Sequence, residues 1–229
     1  MEQREKELLD IYERFELTKS AQGAMDFVRR NIVARIDPVE FDMTKKDDMP
    51  VAVDLGLPSG LKWADRNVGA KSPEEPGLFF SWGNTDGVEI GKACDFSEDA
   101  YAETEGAKLE GVLDAAHDAA TVNLGAPWRM PTDEEFQELY DNCDWEWTTD
   151  DGYNGVRFTS RINGKSIFFA ASGYGAGSSW YSRGASGYYW SASFSSSCVA
   201  RLLGFNSGGV NPQYYNIRYY GFAVRPVQN

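Results

Sequence analysis

The chain has 229 residues, 42% of them hydrophobic and 14% aromatic, with a formal net charge of −13 at pH 7. That is long enough for one large domain, or one domain with an appendage, and for a sizeable core. The acidic balance argues against general affinity for nucleic acid phosphates or anionic membranes, and no run approaches the roughly 20 apolar residues of a membrane-spanning helix. Charge is unevenly placed: no acidic residue follows Asp151, while seven basic residues do, leaving −20 on the first 151 residues.

The opening MEQREKELLD is charged throughout and lacks the apolar run of a secretory signal peptide, which points to synthesis without Sec export. Residues 1–36 read as two helices: Leu8, Ile11, Tyr12 and Phe15 line one, and Ser20 caps a second carrying Ala21, Ala24, Met25, Val28 and Ile32. Such stripes must be buried, on the main domain or against copies of the chain in a homo-oligomer. A polar, Pro-bounded linker follows, so the segmentation is 1–45 for the helical segment and linker and 46–229 for the main domain.

Val51, Val53 and Leu55, a Pro58-Ser59-Gly60 turn, and Leu61 and Trp63 read as a hairpin. The acidic, Ala-rich stretch Gly111–Leu124 is expected to be helical and holds the one histidine, His117, read as a surface residue. The clearest helix signal is PTDEEFQELYDNC: Thr132 and Glu135 form a capping box, and Phe136, Leu139, Tyr140 and Cys143 share a face. Val156 and Phe158, the Asn163-Gly164 turn, then Ile167 and Phe169 give a hairpin. GAGSSWYSRGASG reads as a flexible loop. Strands are expected at Tyr188–Phe194, Cys198–Phe205 and Asn216–Pro226, with turns at Ser195–Ser197 and Asn206–Gln213.

The last 43 residues, Gly187–Asn229, lack Asp, Glu, Lys, Met, His and Thr altogether. Their exposed-looking positions hold Tyr, Ser, Gly, Asn and Arg, the alphabet of binding loops. An apparent frame (Gly187–Ser191, Phe205–Gly208, Val210–Gln213, Arg218, Tyr219, Gly221, Phe222, Val224–Pro226) alternates with other positions: Ser195, Ser196, Cys198, Val199, Arg201, Leu202, Gly204, Gly209, Tyr214, Tyr215, Asn216, Ile217 and Tyr220. All thirteen are reachable from an Asn codon by adenine changes. In this the stretch resembles the variable protein of a diversity-generating retroelement, in which adenines of a copied template are randomised.

The order of VDLGLPSGLKWADRNVGA, WGN, PWRMPTDEEFQEL, SIFFAASGY, GYYWSAS and GFAVRPV over about 51–229 resembles C-type lectin-like "major paralogous domain" proteins, relatives in fold of formylglycine-generating enzymes. The resemblance implies an α+β, C-type lectin-like fold: a mixed, mostly antiparallel twisted sheet with flanking helices, its first and last strands paired, preceded here by the N-terminal helical segment. It also implies that the thirteen interframe residues form a ligand-binding surface, with Tyr214, Tyr215, Ile217, Tyr220, Arg201 and Leu202 foremost. Trp190, Phe205, Phe222 and Val224 are expected as scaffold, with Leu203 in the core and Leu202 exposed.

A hydrolase or transferase needs a nucleophile held by a base, or a metal cluster. None is legible: Cys94, Cys143 and Cys198 are widely spaced, with no CxxC site, and neither lectin calcium tripeptide, Glu-Pro-Asn nor Gln-Pro-Asp, occurs. The expectation is a non-enzymatic binder of a protein or glycan, without metal or cofactor, nucleic acid partner or membrane insertion. The phage virion, at a tail tip, or the cytoplasm with export by a non-Sec route would be its location. The alternative is an undiversified structural or assembly module that oligomerises through its N-terminal helices.

Overall fold

The computed structural model describes residues 49–229. The two expected N-terminal helices and nearly all of the linker lie outside the described residues, and Pro50–Asn229 form one compact unit.

The unit is mixed α and β, mostly β-sheet with short helices. β1 (Ala52–Asp54) and β14 (Val227–Gln228) both pair antiparallel with β2 (Lys62–Ala64). The first and last strands therefore flank β2 and do not pair with each other as the resemblance implied. Trp63 on β2, opposite both Val53 and Val227, is fully buried, with its ring 5.3 Å from Phe136 and 5.9 Å from Phe169.

The largest sheet has six strands in the order β12-β11-β10-β13-β3-β4. They are β3 (Leu78–Phe80), β4 (Val88–Glu89), β10 (Ser186–Phe194), β11 (Val199–Asn206), β12 (Gly209–Ile217) and β13 (Phe222–Ala223). Every pairing in it is antiparallel except β10 with β13. β5 (Cys143–Asp150), β6 (Tyr153–Ser160) and β7 (Ser166–Ala170) make a separate antiparallel sheet. Its first turn places Asp151 and Gly152 both at positive φ, as a tight hairpin between twisted strands demands. Between β6 and β7 lies the expected Asn163-Gly164 turn.

Successive strand residues face opposite sides, and on β10 and β11 both sides are covered. Tyr189, Leu203 and Phe205 pack with Trp63, Phe136, Val156 and Phe169 in one core. Trp190, Ala192, Ala200 and Leu202 pack with Trp82, Met130, Phe222 and Val224 in a second. Leu202 and Leu203 are both 0% exposed, so the expectation that Leu202 faces solvent fails. Two-sided burial replaces the one-sided alternation from which that expectation came.

Of the helices, α1 (Glu98–Ala102) and α2 (Ala119–Leu124) are short. The helix expected over Gly111–Leu124 is confined to its second half. Asp114 Oδ1 accepts the backbone N–H of Ala116 and His117, and Asp118 Oδ1 caps Thr121, so two side chains take donors that a longer helix would use. α3 (Asp133–Asn142) carries the full Thr132/Glu135 capping box, and Cys143, buried as expected, begins β5 instead of extending the helix face.

Three more expectations change. The "flexible loop" 175–187 begins in a hairpin, β8 (Tyr174–Ala176) with β9 (Ser179–Tyr181). It is held by the Trp180 ring 5.0 Å from Phe79 and 5.8 Å from Phe96. Asn206–Gln213 is not a connection: the turn is Ser207-Gly208 alone, and β12 starts at Gly209. Asn216–Pro226 is not one strand but the end of β12, a turn, and β13.

Arg225 ties the C-terminal segment to β2, the residues after it and β7. Fully buried, it donates from Nε to Asn67 Oδ1 (2.7 Å), from Nη1 to the carbonyls of Ala64 (3.1 Å) and Asp65 (2.8 Å), and from Nη2 to that of Phe168 (2.7 Å). Its guanidinium lies 4.6 Å from the Phe169 ring centre. Burial pulls its pKa down to about 10, still charged at neutral pH. Arg225→Lys cannot serve four acceptors in a planar fork. It should cost about 3 kcal/mol or more in urea unfolding; a loss under about 1 kcal/mol would contradict this role.

Candidate functional site

The thirteen interframe residues separate from the frame by burial. Eleven are exposed or half-buried; only Leu202 and Gly204 are buried. Of the twenty frame positions in Gly187–Asn229, twelve are buried. The structure brings most of the candidates together on the β11–β12 pair. Arg201 lies opposite Tyr215, Leu202 opposite Tyr214, Ala200 opposite Asn216 and Val199 opposite Ile217. Ser195, Ser196 and Cys198 occupy the β10–β11 connection, and Tyr220 the turn after β12.

β12 is an edge strand, an arrangement that invites pairing by other chains. Its own residues blunt the edge. Pro212 has no N–H, the Gln213 N–H goes to Asn211 Oδ1 (3.1 Å), and the Ile217 N–H goes to Asn216 Oδ1 (2.8 Å). Contact through this strand thus falls to side chains, and Tyr214 (40% exposed) and Tyr215 (57%) are its largest. Their rings stack with centroids 6.0 Å apart, and the Arg201 guanidinium lies 6.0 Å from the Tyr215 ring centre.

Two clefts border these residues. The larger, about 460 Å³, runs between Tyr188 and Tyr214, with Gly204 and Gly209 beside it and Asn206 and Asn211 along its length. The second, about 320 Å³, lies between Tyr101 on α1 and the segment Ile217–Tyr219, with Cys198 at its side. Neither was foreseen as a cleft, and Tyr188, Asn206 and Asn211 read as frame in the sequence. The Ser207-Gly208 turn brings Asn206 and Asn211 to one hollow beside Tyr188 of β10, and its tightness was hidden by the run of turn-forming residues after it.

Next to the larger cleft is an aromatic stack. Tyr174 lies nearly parallel to Tyr181 (5.3 Å) and to Tyr220 (5.6 Å) and meets Tyr188 edge-on (5.5 Å). Tyr220, a foremost candidate, is thus half-buried and packed, and also meets Phe222 at 6.3 Å. Burial and the neighbouring phenols raise the Tyr174 pKa.

The second cleft is organised by Arg218, 2% exposed. Its Nη1 donates to the Ser197 carbonyl (3.1 Å), and its Nη2 to the carbonyls of Leu109 (3.0 Å) and Gly106. The guanidinium lies 4.5 Å from the Trp82 ring centre. One frame residue so pins the β10–β11 connection to the segment around residues 105–109. Tyr101 beside it is pushed up to about 12, mainly by burial.

The chemistry on offer is hydrogen bonding and ring stacking. His117 Nδ1 is 2.8 Å from Asp114 in a turn, with no nucleophile joined to it. Among the described residues no three or more His, Cys, Asp or Glu side chains cluster as metal ligands would, and no helix is long and apolar enough to cross a membrane. All three cysteines are free. No protein-family model matches the chain, and neither a curated protein nor a solved structure does.

Two outcomes follow. Replacing Tyr214 and Tyr215 together by Ser should leave Tm within about 3 °C of the parent, because little buried area is lost. Leu202→Ser should cost about 3 kcal/mol or more by leaving a cavity and a buried hydroxyl; equal effects would mean that Tyr214 and Tyr215 are core. Thiol labelling of the native protein should be fastest at exposed Cys198. Cys143, buried and with its thiol pushed up to about 11 by desolvation, should stay protected until unfolding.

Proposed function

We propose that the chain is a ligand-binding protein whose C-terminal face, centred on β11 and β12, is diversified for recognition of a macromolecule, and that it is not an enzyme. The observation that carries this reading is the division by burial. The thirteen interframe positions are exposed in four cases and half-buried in seven, whereas the frame between them supplies Trp190, Phe205, Arg218, Phe222, Val224 and Arg225 to the interior. Substitution at exposed positions away from such interior features costs little stability, usually within about 0.5 kcal/mol. A surface of this kind can change its side chains while the scaffold stands.

The side chains themselves support the same reading. Stacked Tyr214 and Tyr215 give rigid contact area with two rotatable torsions each, and Arg201, Asn216 and Ser196 give adaptable polar contacts around them. Residues from 152 onward carry seven positive charges and no negative one, although Asp133 at the start of α3 lies 3.9 Å from Arg201 and offsets its charge. We assign the fold to the C-type lectin-like class on its motifs and on the first and last strands of the described unit, which both pair with β2. A phage tail tip or a bacterial variable protein would be its carrier.

The test is population sequencing of the segment coding for Gly187–Asn229 across isolates. Amino-acid changes should concentrate at the eleven open positions and spare Trp190, Arg218, Phe222 and Arg225. Changes spread evenly along the segment, or confined to conservative core exchanges, would overturn the proposal.

A further inference from the structure

The cleft between Tyr188 and Tyr214 has features that a general recognition surface does not require. No charged residue lines it. Asn206 and Asn211 are each oriented by their own backbone: Asn206 Oδ1 accepts the Gly208 N–H (2.7 Å), and Asn211 Oδ1 accepts the Gln213 N–H (3.1 Å). The two amide Nδ2 groups are thereby held in place, and neither has an acceptor among the described residues. The same holds for the hydroxyls of Tyr188 and Tyr214. The cleft thus offers two aromatic walls and two preoriented amide donors, with phenol groups that both donate and accept.

Glycine keeps it open. A Cβ at Gly204 would meet the Tyr214 ring at 3.2 Å, so glycine there lets the tyrosine lie close over β11. At Gly209, which lines the same cleft, a Cβ would meet nothing within 4 Å and the backbone is not left-handed, so any residue fits the backbone and its side chain would project into free space. Position 209 therefore sets how much of the cleft is available.

We infer that this cleft is a subsite for one neutral sugar ring of a glycan, and that Gly209 is its specificity-determining residue. A pyranose presents a face of C–H groups that packs on an aromatic ring and an edge of hydroxyls, each both donor and acceptor, which match amide and phenol groups. An anionic sugar would lack a cationic partner within the cleft. An apolar peptide side chain would leave the oriented amides unpaired, at a desolvation cost that a hydroxylated ligand avoids. The inference rests on the recognition-face reading and narrows its ligand.

The test is titration of the ¹⁵N-labelled full chain with the methyl glycosides of glucose, galactose, mannose and N-acetylglucosamine, followed by amide NMR. At least one glycoside should shift the amides of Gly208, Gly209 and Asn211 at millimolar concentration. Gly209→Trp, which fills the cleft, should weaken that binding at least tenfold with an unchanged Tm. If none of the four shifts these amides, or if Gly209→Trp binds as well as the parent, the sugar subsite is wrong. The two failures are separable: codon variation concentrated at the open positions with no glycoside binding removes the sugar and keeps the diversified face, whereas glycoside binding with evenly spread variation leaves a fixed lectin-like site.

Discussion

Burial of the β10–β11 pair on both faces is the constraint from which the rest of the domain follows. Tyr189, Leu203 and Phe205 need one cover, and Trp190, Ala192, Ala200 and Leu202 need another. The first is supplied by α3, β2 and the β5–β7 sheet, the second by the segments around Trp82 and Met130 with β13. Once both faces are closed, the outermost strand, β12, is where large side chains on this sheet remain open to solvent. The exposure of Tyr214 and Tyr215 is thus a consequence of how the core is closed.

Closing two cores with short strands and long connections needs fixed points, and two buried arginines provide them. Arg225 gathers the carbonyls of Ala64, Asp65 and Phe168 with Asn67, and Arg218 gathers those of Gly106, Leu109 and Ser197. Both place the guanidinium against aromatic rings, and neither has a carboxylate within ion-pair distance among the described residues. Carbonyl dipoles and ring faces take over that role. Planar, fork-like donors suit this better than an ammonium, which accounts for arginine at both positions.

Local chemistry was the legible part of the fold. The Thr132/Glu135 box and the Asn163-Gly164 turn each depend on residues close in sequence, and both elements appear where the sequence places them. What failed depended on distant partners. β12 carries Gly209, Asn211 and Pro212, which in isolation read as turn, yet Gly209 and Asn211 pair with β11, and Pro212 is tolerated because it falls in the register shift that follows, on an edge strand. Leu202 looked solvent-facing because alternation predicts one buried face, whereas the second cover comes from residues some 70 to 120 positions away. Of the candidate site, the exposed tyrosines on β12 were expected from composition and spacing, whereas Leu202 and Gly204 on β11 are buried. The cleft was not legible, because it needs Tyr188, Asn211 and Tyr214 from separate places to converge.

The central claim is that one strand pair is rewritten while its scaffold is held constant, and the DNA beside the gene tests it most directly. Sequencing the flanks should find a near-copy of the segment coding for Gly187–Asn229, differing from it at adenines within the codons of the open positions, beside a gene for a reverse transcriptase. Flanks with no such copy, or a copy whose differences fall on the codons for Trp190, Phe222 or Arg225, would contradict the account.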